Sequence, residues 1–256
     1  MGRESNENYS KTFRKGIRIL DLFNQDHSGL RLKDISEKLD LDMMTAYRLV
    51  NTLVLEGYLV KDQDTKQFKL GSKAISMGYR AISTLELMKI SQLLLDEAHD
   101  TFKVSVQLGI LDENRILMLY EKHTRDTLVF LGPRVITELH CSALGKAILA
   151  YLPIDKQSKI IDSLNFVRRT EKSIRTKEAL RADLMRTKEK GYALNNEEWT
   201  PGLLVLGAPI ISEARDEVLG GVIFAFSTFQ YTMDEVEKKY GQEIIGLAHR
   251  ISERIP

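Results

Sequence analysis

Two short runs of the sequence hold side chains that could support nucleophilic or acid–base chemistry. In SALGK, three residues separate Ser142 from Lys146, whereas Ser-x-x-Lys enzymes have two, and the run lacks the flanking residues of a phosphate-binding loop. Glu197 and Glu198 are adjacent, and adjacent side chains of an extended segment face opposite ways. Neither run predicts a catalytic site.

Metal or thiol chemistry is a further possibility at His140 and Cys141. No other His or Cys stands at the short spacing that zinc sites use, so the pattern favours a structural pair. Cys141 is the single cysteine, which excludes an intrachain disulfide and suits a reducing compartment. The sequence therefore predicts a protein that is not an enzyme and has neither a metal ligand nor a cofactor.

Nucleic-acid recognition is indicated by the segment from Leu39 to Asp62. Asp42 suits the N-cap of a helix that ends at Gly57. One face of this helix repeats apolar residues at the period expected of a buried stripe: Ala46, Leu49, Val50 and Leu53. The outward face is predicted to carry Met44, Thr45, Arg48, Asn51 and Thr52.

Three of these outward residues are candidate DNA contacts. Arg48 can donate two hydrogen bonds to a guanine, and Thr45 can contact a phosphate or a thymine methyl group. Met44 suits an apolar contact to bases, or no contact at all, rather than a role in sequence specificity. The alternative is that Arg48 is an ordinary solvated charge and that the helix only covers a small core.

A basic hairpin is predicted after this helix. Residues 58–61 and 67–70 are typical of two strands around a polar turn. Lys61, Lys66 and Lys69 are candidate phosphate contacts, and an ordinary charged hairpin is the alternative.

The organisation of the chain follows from these elements. Two shorter helical patterns precede the helix after Asp42, so that three helices and a ribbon predict a winged helix-turn-helix over residues 11–71. Residues 1–10 are expected to be a disordered arm, and residues 72–84 a linker helix. Residues 85–256 are expected to form a second, separate domain.

The second domain alternates β-like and helical runs. The β-like runs are VSVQLGIL, RILMLYE, TLVFLG (residues 127–132), YALNN, LVLGAPIIS and VLGGVIFAF. Helices are predicted around them, and one begins after Ser142 and ends at Pro153. This mixture predicts an α+β fold.

The start of the helix after Ser142 is a candidate ligand-binding site. The first amides of a helix lack intrahelical partners and suit a carboxylate. Capping of these amides by Ser142 itself is the alternative.

The composition is that of an ordinary globular protein. The 256 residues are 43% hydrophobic and 29% charged, with a net charge of +1. Residues 1–80 carry 14 Lys and Arg against 11 Asp and Glu. This small excess of positive charge fits a DNA-facing N-terminus but also arises by chance. The first 16 residues hold no apolar core of a secretory signal, and no apolar stretch approaches the length of a membrane span. We expect a soluble cytoplasmic protein that does not contact a membrane.

The winged-helix order, with AYRLVNTLVLEGYL, LHCSALGKAILAYLP and GYALNNEEWTPGLLVLGAPI, resembles the isocitrate lyase regulator (IclR) family of bacterial transcription factors. The resemblance runs from about Thr12 to Ser252 and is most specific at His140–Ala150 and Gly191–Gly202. It implies a DNA-binding winged helix, a linker helix and an effector domain of GAF-like shape. It also implies dimers or tetramers on palindromic double-stranded DNA operators, acting as repressors or activators.

The resemblance also implies an effector pocket. By position, it would comprise the amides of Ala143 and Leu144, the wall residue Leu203, and Asn195, Val205, Ile223 and Ala225. A family member that binds a small keto acid has an acidic residue, a thiol and two hydroxyls at the last four positions, where this chain has one amide and three apolar side chains. We therefore expect a small-molecule effector with more apolar surface, such as an aromatic or larger organic acid, because an unpaired polar group is costly to bury. A filled pocket that admits no ligand is the alternative.

Two functions remain open at this point. The first is a ligand-responsive transcription regulator. The second is a small-molecule sensor or enzyme domain whose winged helix contacts protein. The recognition helix departs from relatives at Asp42, Met43 and Met44, where Pro or small polar residues are frequent.

Overall fold

A computed structural model describes residues 9–23, 28–124, 135–212 and 214–255. The predicted strand at residues 127–132 lies outside these ranges, as does most of the predicted arm at residues 1–10. The chain divides into two compact units, residues 1–83 and 84–256. Within the described ranges, no helix combines the length and the apolar character needed to cross a membrane.

The first unit is a winged helix-turn-helix, as the sequence predicts. Its elements are α1 (Lys11–Leu20), α2 (Leu32–Leu39), α3 (Met43–Leu55), β1 (Leu59–Lys61), β2 (Phe68–Leu70) and α4 (Ser72–Thr84). The strands β1 and β2 are antiparallel, with Leu59 opposite Leu70. Asp40 forms the turn between α2 and α3 with φ of 50°, a left-handed conformation that Asp tolerates.

Each of the first five elements contributes to one small core. The contributing residues are Ile19, Ile35, Val50, Leu59 and Phe68, joined by Leu30. The amide of Leu30 donates to the carbonyl of Phe68, and the amide of Phe68 donates back, which attaches the chain before α2 to the hairpin. The apolar stripe predicted for α3 is therefore the stripe that the core buries.

The first turns of α4 are fastened to the end of α3 and the start of the hairpin. The Lys73 ammonium lies 3.2 Å from a Glu56 carboxylate oxygen and 5.1 Å from the centre of the Tyr58 ring. The Tyr58 hydroxyl donates to the Met77 sulfur at 3.9 Å, and the amide of Gly71 donates to the Tyr58 carbonyl at 2.7 Å. These contacts hold α4 and the winged helix together.

The second unit is an α+β domain. Its elements are α5 (Glu86–Phe102), β3 (Ser105–Asp112), β4 (Arg115–Lys122), β5 (Val135–Ile136), a 3-10 turn (Leu139–Cys141), α6 (Ala143–Ala150), α7 (Ile154–Ser163), α8 (Lys177–Lys190), β6 (Ala193–Asn196), β7 (Leu203–Ser212), β8 (Glu217–Ser227) and α9 (Met233–Ser252). In the described residues the sheet is antiparallel, in the order β5-β4-β3-β8-β7-β6. The predicted fold class is confirmed.

The two faces of this sheet are covered by different helices. On one face, Phe224 and Phe226 of β8 contact the ring of Tyr240 in α9. On the other face, Ile223 and Ala225 belong to an apolar cluster with α6, α7 and α8. Alternation along β8 separates the two sets, because successive side chains of a strand point to opposite faces. The α6 side of the sheet carries the predicted effector residues.

Candidate DNA-reading surface and effector pocket

The orientation of α3 is fixed by its cap and its core face. The Asp42 carboxylate accepts a hydrogen bond from the Thr45 amide at 2.9 Å. Hydrogen bonds from the Thr45 side chain and amide lower the pKa of Asp42, so that the cap is charged at neutral pH. Ala46 and Val50 are buried in the core. The opposite face of α3 must therefore point outward.

The outward face carries the residues that the sequence predicts, with one addition. Met44 is 67% exposed, and Arg48 is also exposed. Thr45 is half-buried beside the cap. Tyr47, which the prediction omitted, is 54% exposed. Its spacing of three residues from Met44 is the signal that would have included it.

The three predicted lysines of the hairpin lie in different surroundings. The Lys69 ammonium is 2.9 Å from the Asp62 carboxylate, and hydrogen bonds from Thr65 and Lys69 hold the pKa of Asp62 well below its usual range. The Lys61 ammonium lies 5.7 Å from the centre of the Phe68 ring. Lys66 occupies the exposed turn. Lys61 and Lys66 thus have no carboxylate partner among the described residues, whereas Lys69 has one.

Cross-strand pairing brings the predicted pocket walls together on one face of the second-unit sheet. Asn195 pairs with Val205, and Val205 pairs with Ala225. Directly paired residues share a face, and so do residues two apart on one strand, which adds Leu203 and Ile223. All five are buried.

The start of α6 lies against this sheet. The Ser142 hydroxyl accepts from the Gly145 amide at 3.2 Å and so caps one donor of the first turn. The buried amides of Ala143 and Leu144 have no hydrogen-bond acceptor within the described residues. A Cβ at Gly207 would stand 2.8 Å from the Ala143 carbonyl oxygen and 3.2 Å from the Leu144 nitrogen, so only glycine fits below this turn. Ser142 caps the helix, and two further donors of its first turn remain without an acceptor among the described residues.

Asn195 fastens the start of α6 to the loop after β6. Its side-chain nitrogen donates to the Cys141 carbonyl at 2.9 Å, and its oxygen accepts from the Glu198 amide at 2.9 Å. Both ends of the buried amide are therefore engaged inside the protein. Asn195 therefore holds the start of α6 in place, on the face where the sequence predicts the effector pocket.

Polar residues of β3 and β4, absent from the predicted site, extend the same face. Gln107 pairs with Ile223 on one side and with Glu121 on the other. His123 Nε2 lies 3.4 Å from the Glu121 carboxylate. The signal in the sequence is the period-two alternation of Ser105 and Gln107 with apolar residues. The pocket face thus has an apolar centre and a polar border.

A buried ion pair joins the LGKA and EE runs. The Lys146 ammonium is fully buried and lies 2.8 Å from both Glu198 carboxylate oxygens and 3.1 Å from Asp183. Burial raises the pKa of Glu198, and the Lys146 charge opposes that shift. Glu197 pairs with Lys172 instead, as predicted for two glutamates that do not act together, but the reason differs: both lie in the loop after β6, where Glu197 has a φ of 59°, and not on an extended segment. Lys146 and Glu198 are structural partners that the sequence reading did not connect.

His140 and Cys141 are both buried. His140 Nε2 is 3.0 Å from the Val167 carbonyl, and its ring lies 5.0 Å from Phe166. Burial lowers the pKa of His140 and raises the pKa of Cys141 to about 12. In the part of the chain that the structure describes, no three His, Cys, Asp or Glu side chains are placed to hold a metal ion.

The chain is similar to known regulators over both units. Residues 12–63 match the IclR helix-turn-helix domain, and residues 79–253 match the C-terminal domain of the bacterial transcriptional regulator IclR. The HTH-type transcriptional regulator BhcR of Paracoccus denitrificans is 31% identical over 208 residues, which are 80% of this chain and 74% of BhcR. The regulator KdgR of Escherichia coli is 25% identical over 227 residues, 88% of this chain and 83% of KdgR.

A solved structure shows the same fold. An IclR homolog from Microbacterium hydrocarbonoxydans, crystallised in complex with 4-hydroxybenzoate, has a TM-score of 0.73 at 21% identity and covers 94% of this chain and 98% of its own. The family matches together span most of the chain. The protein belongs to the IclR family of bacterial transcriptional regulators, with a DNA-binding helix-turn-helix and an effector-binding C-terminal domain.

Proposed function

We propose that the winged helix binds a palindromic operator and that an aromatic or larger organic acid, bound beside α6, tunes its affinity for DNA. The observation that supports this most is the pair of buried, unpaired amides at Ala143 and Leu144. Buried N–H groups are almost always paired, so these two donors suit the carboxylate of a ligand.

The apolar centre of the pocket favours a ring over a small keto acid. Val205, Ile223 and Ala225 offer no side-chain hydrogen bond, so the polar groups of a small keto acid other than its carboxylate would be buried without partners. Gln107 lies two strands from Gly207, about 10 Å at the usual strand spacing. The Leu144 nitrogen lies over Gly207, so a benzoic acid held by the α6 amides would direct a polar para substituent across β8 towards Gln107. The 4-hydroxybenzoate in the Microbacterium relative supports this class of effector.

Self-association completes the proposal. A palindromic operator presents two half-sites, so we propose a dimer or a tetramer of this chain that places two copies of α3 on DNA. The effector then acts through unequal affinity for the DNA-competent and DNA-incompetent arrangements. We further propose that the protein acts in the cytoplasm, beside the bacterial chromosome, and performs no catalysis.

Calorimetry on the full-length protein tests the effector. We expect 4-hydroxybenzoate and benzoate to bind more tightly than pyruvate or glyoxylate. Micromolar binding of pyruvate or glyoxylate, with no binding of the aromatic acids, would overturn the assignment. Gln107→Leu should remove the preference for 4-hydroxybenzoate over benzoate and leave benzoate binding unchanged.

A proline variant tests the amide donors directly. Ala143→Pro deletes one donor at the first helical position, where proline is tolerated, and Ser142 already has the extended backbone that a following proline requires. We expect acid binding to weaken about tenfold or more, because a hydrogen bond to a charged group is lost. Lys177→Pro, at the first position of α8, is the matched control. Equal weakening in both variants would contradict a specific role for the Ala143 amide.

A second candidate function is contact with a protein, since the exposed Met44 and Tyr47 would also suit an apolar partner. Salt dependence separates the two functions. Binding to DNA through several phosphates weakens steeply as salt rises, whereas an apolar protein interface does not.

A further inference from the structure

Three large apolar side chains are exposed at the start of α3. Met43, Met44 and Tyr47 are 50%, 67% and 54% exposed. An adjacent group of this kind marks an interaction surface more often than an isolated exposed residue does. A partner that covers this group would remove apolar area from water.

The helical positions of these residues join them to the DNA-reading face. Residues at i, i+3, i+4 and i+7 share one side of a helix. Met44, Tyr47, Arg48 and Asn51 occupy those positions, whereas Ala46 is buried on the other side. The stripe begins in the first turn of the second helix of the helix-turn-helix, which is the part that contacts base edges. The apolar side chains therefore lie on the same side of α3 as Arg48.

The major groove offers one apolar mark, the 5-methyl group of thymine. A methionine thioether cannot donate a hydrogen bond to a purine, but it packs well against a methyl group. Asp42, the neighbouring acidic residue, is engaged as the helix cap through Thr45 and does not compete as an acceptor for cytosine. The apolar surface of Met44 and of the Tyr47 ring therefore fits thymine better than it fits the other bases.

We propose that Met44 and Tyr47 read thymine methyl groups in each operator half-site, which makes them specificity residues and not a passive surface. This inference rests on the proposed function, because it requires a selected operator. Arg48 and Asn51, on the same stripe, read neighbouring purines through hydrogen bonds.

The test compares duplexes that contain thymine or uracil, which differ by that methyl group alone. The full-length protein selects sites from random duplex pools made with each base. We expect the thymine pool to yield sites with thymine at fixed positions. Replacement of one such thymine by uracil should weaken binding about fourfold, and replacement in both half-sites about sixteenfold, since a buried methyl-sized group contributes roughly that factor.

Variants assign the effect to the two side chains. Met44→Ala and Tyr47→Ala should each bind thymine and uracil duplexes with more similar affinity. Met185→Ala is the matched control, because Met185 is 66% exposed on α8 of the second unit. It should discriminate between the duplexes as the wild type does.

The possible outcomes distinguish a failure of this inference from a failure of the proposed operator binding. Tight and equal binding of thymine and uracil duplexes by the wild type overturns the inference and leaves operator binding intact. Unchanged discrimination in both variants overturns the assignment to Met44 and Tyr47. If a folded protein selects no site from either pool, operator binding and this inference fall together, and the apolar face serves a protein partner.

Discussion

The buried Lys146 ion pair is expected to control the stability of the effector domain. Lys146→Met leaves Glu198 and Asp183 facing each other without their shared cation, and Glu198 has only 9% of its surface exposed. Removal of one partner from a buried pair costs about 3–5 kcal/mol. We expect a loss of that size in the free energy of unfolding.

The companion variants should follow a definite order. Glu198→Leu should cost less than Lys146→Met, because Asp183 still lies 3.1 Å from the Lys146 ammonium. The double variant Lys146→Met/Glu198→Leu should be more stable than the sum of the two losses predicts, since no unpaired charge remains at the centre of the site. Asp183 keeps Arg186 at 2.9 Å as a second partner.

Urea titration gives the measurement. Trp199 is the single tryptophan of the chain, is buried, and follows Glu198 directly, so its fluorescence reports the unfolding of this domain. Lys177→Met, which removes a surface pair with Asp162, is the control and should cost no more than about 1 kcal/mol. A loss for Lys146→Met as small as that of the control would refute the reasoning.

Three further predictions follow from the geometry. If the Arg48 guanidinium reads a base, Arg48→Ala should weaken binding to the selected operator by about 1–3 kcal/mol, as measured by fluorescence anisotropy. Arg250→Ala is the control, and an equal loss of operator affinity in both variants would contradict this role for Arg48. Iodoacetamide should label Cys141 only after unfolding, because its thiol is buried and has a pKa of about 12, and rapid labelling of the folded protein would count against that burial. Burial holds the pKa of His140 below the value of 6.5 for a free imidazole, so the stability it contributes is present above pH 6.5 and is lost as pH falls. Urea titrations at a series of pH values from above 6.5 downward should show that the free energy of unfolding falls more steeply for the wild type than for His140→Phe. Parallel pH dependences would contradict the prediction.

Local patterns predicted most elements of both units, because caps, turns and apolar periodicity act over a few residues; the short strand β5 was not among the predictions. The cap at Asp42, the stripe through Ala46 and Val50 and the glycine at Gly57 define α3 without any distant contact. Tyr47 was missed because an aromatic residue inside an apolar run suggests burial, although its spacing of three residues from Met44 places it on the outward face. Only the helical phase relative to the core separates it from Val50.

Contacts between distant residues were the part that the sequence could not supply. Lys146 and Glu198 are 52 residues apart, and nothing local shows that one neutralises the other. Gln107 joins the face of the proposed pocket only through the pairing of β3 with β8. The family resemblance identified the residues beside α6 by their positions in the sequence. That Gln107, Ile223 and Gly207 lie side by side across the sheet can be known only from the strand register.

The attachment of α4 to the winged helix has a mechanical consequence. Its 13 residues make a rod about 20 Å long, and the contacts of Lys73 and Tyr58 join one end of that rod to the body that carries α3. If the other end is held, a tilt of about 10° moves the attached end by about 3.5 Å, close to the rise of one base-pair step. A small change in the tilt of α4 would therefore displace the attached winged helix by a distance comparable to one base-pair step.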